Sequence, residues 1–129
     1  GGQMRRASLA IGVALEPGGL LLDEPTANLD IATRREIMAV LSDMEDIIQT
    51  AVIATHDMQL VCQWAQRIIV LCNGKVVADG SRDEIFSRQD IAELVGIRPP
   101  EIFSMAHALD KRALCYTIDE FTSSFQKGV

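Results

Sequence analysis

The chain has 129 residues, enough for one domain with a sizeable core, and a hydrophobic content of 48% excludes an intrinsically disordered chain. A formal charge of −6 removes any electrostatic reason to expect a nucleic-acid partner. No apolar run approaches the roughly 18 residues that a membrane-crossing helix needs, so any membrane association is expected to run through a partner protein.

Residues 4–15 read as a mostly buried helix, stopped by Glu16-Pro17-Gly18-Gly19. The triplet Leu20-Leu21-Leu22 then runs into Asp23 and Glu24, the pattern of a buried strand over 20–23 that ends at a polar site. Pro25 opens a short loop. Asp30 is a candidate N-cap for a helix whose apolar positions Ile37, Leu41, Met44 and Ile48 recur at spacings of three and four. A second apolar run predicts a strand over 51–55, followed by a short helix over 58–65.

Segments 68–71 and 75–78 are joined through Asn73-Gly74, a strong two-residue hairpin signal. Ser81-Arg82-Asp83-Glu84 has capping-box form and opens a short helix. Residues 90–95 read as another helix, Pro99-Pro100 as a break, and 101–109 as helical. Thr117-Ile118-Asp119-Glu120 is a second capping-box candidate, opening a last helix to about residue 126. Strands alternating with helices indicate α/β architecture with a parallel core. Cys62, Cys72 and Cys115 are odd in number and lack metal-ligand spacing, which fits reduced thiols in a cytosolic protein. No signal peptide is visible.

The chemistry concentrates at Asp23-Glu24. Side chains alternate direction along an extended segment, so the two carboxylates are expected to point to different places from one rigid base. One can hold a divalent metal while the other works on a nearby proton, an arrangement suited to metal-assisted attack of water on a phosphate. Acidic pairs also occur at ordinary strand ends as helix caps, and His56 and His107 alone would read as surface or structural residues.

Four elements in order change that balance. Gly1-Gly2-Gln3 resembles the end of the Leu-Ser-Gly-Gly-Gln signature of ATP-binding-cassette (ABC) ATPases. The segment 20–24 resembles their Walker B strand with its glutamate, Ala27-Asn28-Leu29-Asp30 their D-loop, and Thr55-His56-Asp57 their switch histidine. The hairpin Asn73-Gly74-Lys75-Val76-Val77-Ala78-Asp79-Gly80 resembles that of importer-type ATPases. Gly96-Ile97-Arg98-Pro99-Pro100 is similar to the tail of energy-coupling-factor and cobalt-type importer ATPases. The resemblance implies the C-terminal part of a P-loop NTPase domain over 1–95, with parallel core strands and a β-hairpin, and a helical extension over 96–129.

The resemblance also implies roles. ATP and Mg²⁺ are the expected cofactors, with Asp23 taking Mg²⁺ through a water, since Mg²⁺ keeps part of its hydration shell. Glu24 would polarise the attacking water and His56 would sense the γ-phosphate. Gly1, Gly2 and Gln3, at a helix start where free N–H groups favour phosphate, would act on the nucleotide of the opposite subunit, and Asp30 at the same interface. The expected partners are a second ABC ATPase subunit, in a homo- or heterodimer, and an integral membrane subunit. The expected place is the cytoplasmic face of the membrane, and the expected task is import of a vitamin or metal ion.

No Gly-x-x-x-x-Gly-Lys-Ser/Thr run occurs in these 129 residues, and Gly74-Lys75 is followed by Val76. With residue 1 inside a motif, the chain is expected to be a fragment that does not hydrolyse ATP alone. Uncovering three of Leu20, Leu21, Leu22, Val52 and Ile53 costs about 5–9 kcal/mol, against the roughly 5–15 kcal/mol that stabilises a domain. Such a fragment is expected to be marginal, swapped or aggregated unless that surface is covered. Two other readings stay open: a non-catalytic binding or regulatory product, and a soluble ABC ATPase outside transport.

Overall fold

The computed structural model describes residues 18–126. The predicted helix over 4–15 lies outside them. The chain packs as two compact units that divide between Asp57 and Met58.

The first unit is built as strand, helix, strand. Strands β1 (Gly19–Asp23) and β2 (Thr50–Ala54) pair in parallel, with Leu21 opposite Val52 and Asp23 opposite Ala54. Helix α1 (Ile31–Asp43) makes the crossover that a parallel pair requires. The Asp30 carboxylate caps it, accepting from the Thr33 N–H at 2.7 Å. Ile37 and Leu41 are fully buried, and Met44 and Ile48 nearly so, which is the predicted face. Each such side chain contributes about 1.5–3 kcal/mol. The helix nevertheless ends at Asp43, short of Ile48. Asp43, Glu45 and Asp46 bring carboxylates to a C-terminus where the helix dipole favours cations, and a turn in which Ile47 and Ile48 both donate to the Met44 carbonyl finishes the segment.

The expectation of a buried strand over 20–23 needs correction. Burial alternates along β1, leaving Leu21 78% exposed, and its partner Val52 on β2 is 55% exposed. A pleated strand sends successive side chains to opposite faces, so a continuous apolar run is buried only where both faces are covered. Here Leu20 and Leu22 are half-buried, and the Leu21–Val52 pair lies open on the other face.

The second unit begins with α2 (Met58–Trp64) and the antiparallel hairpin β3 (Ile68–Cys72) and β4 (Lys75–Gly80). Asn73 and Gly74 both have positive φ, 49° and 73°, as the predicted two-residue turn demands. Val70 and Ala78 of the hairpin form a core with Ile85 of α3 (Arg82–Phe86) and Ile91 of α4 (Gln89–Val95). Ser81 and Glu84 complete a capping box at α3. Gly80 leaves the space that box uses, because a Cβ there would lie 2.6 Å from Glu84 Oε2. Helices α5 (Glu101–Leu109) and α6 (Ile118–Phe125) follow, α6 opened by the Thr117–Glu120 box. Arg82 ties this unit together: it donates to the Cys62 carbonyl at 2.8 Å, pairs with Glu120 at 2.8 Å, and lies 4.4 Å from the centre of the Tyr116 ring. The three cysteines carry free thiols, and burial pushes Cys62 up to about 12.

Candidate functional site

The ends of β1 and β2 bring the sequence motifs of the first unit together. Beyond β1, the Glu24 N–H donates to the Ala54 carbonyl at 2.8 Å, one bond past the last residue of the strand. The backbone then turns sharply, with Glu24 at φ 45°. For a residue with a Cβ the left-handed region is disfavoured by about 1–2 kcal/mol, and such strain gathers at functional sites. The Ala27 N–H closes the turn on the Glu24 carbonyl at 3.2 Å. Glu24 therefore leaves the strand through a kink, and its direction is set by that kink rather than by the pleat that the sequence reading assumed.

The kink delivers the carboxylate to the segment after β2. Glu24 Oε2 accepts from the Thr55 hydroxyl at 3.1 Å. Glu24 Oε1 meets both the backbone N–H of His56, at 3.2 Å, and its ring Nδ1, at 2.7 Å. The His56 bond, with that of Thr55 behind it, lowers the Glu24 carboxyl below its ordinary value. The same bond raises His56 above its ordinary value. With Nδ1 turned to a carboxylate, the far nitrogen of a protonated ring is left as a donor facing solvent, and the His56 side chain is 86% exposed. Glu24 and His56 are thus one unit, 32 residues apart in the chain.

Asp23 ends β1 as an exposed carboxylate. Among the described residues no three His, Cys, Asp or Glu side chains gather to enclose a metal. A single accessible carboxylate fits Mg²⁺, which is usually bound by one or two carboxylates together with water and substrate phosphates. Asp30 sits at the N-terminus of α1 as its cap. Gly1, Gly2 and Gln3 lie outside the described residues.

Four residues escaped the sequence reading as site components. Asp57 accepts from the Thr26 hydroxyl at 2.7 Å and from the Arg34 guanidinium, and its own N–H donates to Thr55 Oγ1 at 3.0 Å. Thr55 and Asp57 flank His56 and offered a signal by position alone. Thr26 and Arg34 offered none, since only the fold brings them within reach of residue 57.

Comparison with known proteins bears on what this site belongs to. No family model matches the chain. An energy-coupling factor transporter ATP-binding protein of Streptococcus sanguinis is 37% identical over 126 residues, covering 94% of this chain and 45% of the relative. The corresponding protein of Geobacillus kaustophilus is 36% identical over 134 residues, covering 98% and 46%. Among solved structures, cbiO1 of Clostridium perfringens, part of the ABC transporter complex cbiONQ, superposes with a TM-score of 0.59 at 36% identity, over 78% of this chain and 41% of that one. An ATP-binding cassette of an ABC transporter in its ADP conformation gives 0.61 at 25% identity, over 73% and 39%. The chain spans less than half the length of these relatives.

The parallel strand pair carries Asp23-Glu24 and Thr55-His56 at its C-terminal ends, and the solved neighbours that share this fold are ATP-binding cassettes of ABC transporters. The homologues of this chain are ABC transporter ATP-binding proteins, energy-coupling factor subunits among them.

Proposed function

We propose that this chain is part of an ABC importer ATPase that couples ATP hydrolysis to uptake of a vitamin or metal ion, and that Glu24 polarises the attacking water. The observation that carries this reading is the Glu24 carboxylate, held on a strained turn with both oxygens engaged and His56 Nδ1 at 2.7 Å. A glutamate carboxylate is charged near neutrality, as a group that orients water must be, and the His56 bond holds Glu24 below its ordinary value. His56, protonated or neutral, presents its far nitrogen outward and is assigned to the terminal phosphate. Asp23 holds Mg²⁺ through water. Bound Mg²⁺ supplies charge neutralisation at the phosphates.

Asp30 serves a nucleotide-bridged interface with a second ATPase subunit while capping α1, and Gly1, Gly2 and Gln3 contact the nucleotide of that partner. The intact protein docks on an integral membrane subunit at the cytoplasmic face. No helix among the described residues is long and apolar enough to cross a membrane, which is compatible with a peripheral place. With no phosphate-loop motif in these 129 residues, the chain by itself does not turn over ATP.

The test joins the chain to the upstream half of a homologous ABC ATPase and measures hydrolysis with Glu24→Gln. Loss of a positioned proton acceptor is expected to lower kcat by about 10²–10⁴-fold. Undiminished turnover would remove Glu24 from the role.

A further inference from the structure

We infer that Thr55 is a positioning residue for Glu24, its hydroxyl aimed by the Asp57 backbone and its place fixed by the Thr26–Asp57–Arg34 cluster.

A hydroxyl has one proton to give and can accept as well. At Thr55 the accepting side is occupied by the Asp57 N–H at 3.0 Å, and the proton goes to Glu24 Oε2 at 3.1 Å. The β-branched side chain is stiff at χ1, so Thr55 holds that direction better than a freely turning side chain would. The terminal torsion of a glutamate is otherwise broad and roughly two-fold. Thr55 removes this freedom, and the two carboxylate oxygens become distinct. Oε2 is the held atom, and Oε1 is the one that faces His56.

What fixes Thr55 is the residue two positions on. The Asp57 carboxylate is gripped on both oxygens, Oδ2 by the Thr26 hydroxyl at 2.7 Å and Oδ1 by Arg34. Thr26 lies in the turn directly after Glu24 and is only 6% exposed, so its hydroxyl depends on a protein partner. Arg34 comes from the first turns of α1. The turn after β1, the helix and the segment after β2 are therefore locked by one carboxylate, and the Asp57 N–H that aims Thr55 is part of that lock. The charged group facing Glu24 is His56. Asp57 lies next along the chain and is itself faced by Arg34.

The inference rests on the reading of Glu24 as the water-polarising group for its consequence in turnover, but its first test needs no nucleotide. The Glu24 carboxyl of the 129-residue chain is titrated by carbon NMR in wild type, Thr55→Val and Thr55→Ser. Thr55→Val keeps the shape and removes the donor, and it is expected to move the Glu24 midpoint upward. Thr55→Ser restores the hydroxyl and is expected to return the midpoint to wild type. A Thr55→Val midpoint equal to wild type overturns the inference, even if the variant is less stable. Should Thr55→Val not fold, Thr55→Ala is read in the same way.

In the extended, ATP-hydrolysing protein, Thr55→Val is expected to lower kcat by about ten- to a hundredfold with KM held. A changed KM with unchanged kcat counts against positioning. Full activity of Glu24→Gln with a shifted Thr55→Val midpoint defeats the functional reading alone, whereas an inactive Glu24→Gln with an unshifted midpoint defeats only the role of Thr55.

Discussion

The two units put their remote hydrogen bonds to different uses. In the first, the site bonds join residues 23 to 32 positions apart: Arg34 to Asp57, Thr26 to Asp57, Thr55 and His56 to Glu24. In the second, the remote bonds of Arg82, to the Cys62 carbonyl and to Glu120, tie helices together, and the element ends are fixed by local bonds. Both capping boxes close over three residues, and the hairpin turns on two. Local bonds hold an element in shape whatever surrounds it. Remote bonds exist only once the fold has formed, and they place atoms from separate segments at one point. In the first unit the remote bonds converge on one exposed pair, and strain and convergence occur together at Glu24.

Asp57→Ala is the severest way to break this contrast. It strips the partner from a buried Thr26 hydroxyl and from Arg34 at once, and an expected loss of about 1–3 kcal/mol can be read from urea unfolding. A loss no larger than that of a helix cap would mean that the remote cluster is weak.

Ser81→Ala and Thr117→Ala test the local side. Each is expected to cost about 1 kcal/mol, with hydrogen-exchange protection reduced in its own helix and not in β1 or β2.

Proton titration sharpens the comparison at the exposed Glu24–His56 pair, where solvent keeps the effect small. His56 titrates higher in the folded chain than its ordinary 6.5, so its contribution is complete below that value and disappears as pH rises through the raised midpoint. Glu24 titrates lower than its ordinary 4.5, so its contribution is complete above that value and disappears as pH falls through the lowered midpoint. The pair therefore stabilises fully between about 4.5 and 6.5. Unfolding measured across this range should show a plateau flanked by two declines, and His56→Ala should remove the decline on the alkaline side.

The same division governs what could be read before folding. The Asn73-Gly74 turn, both capping boxes, the Asp30 cap and the face Ile37–Leu41–Met44–Ile48 were legible because their physics is contained in a few consecutive residues. Asp23, Glu24 and His56 were legible only as family positions. Nothing in their spacing said that Glu24 Oε1 would meet His56 Nδ1. The early end of α1 was missed because apolar periodicity runs on past Asp43, while the acidic run that ends the helix carries a signal of another kind. The leucine run by itself reads as a buried strand, and the exposure of Leu21 and Val52 follows the expectation that part of this apolar surface is left uncovered. The kink at Glu24 was missed for a further reason: glutamate is not a residue that invites a left-handed backbone.

Gly80 shows a subtler dependence. Its φ lies outside the left-handed region, so alanine would meet no backbone objection there. The objection comes from the Glu84 side chain, whose Oε2 holds the Ser81 N–H at 2.6 Å and lies equally close to where a new Cβ would stand. Positions 80 and 84 are therefore thermodynamically coupled. Gly80→Ala should evict Glu84 from its half of the box and cost about 0.5–1.5 kcal/mol, the worth of one hydrogen bond. In a Glu84→Ala background the same change should be close to neutral, a non-additivity that a double-mutant cycle measures directly. A glycine that a backbone plot would call replaceable is kept vacant on behalf of a carboxylate four residues away.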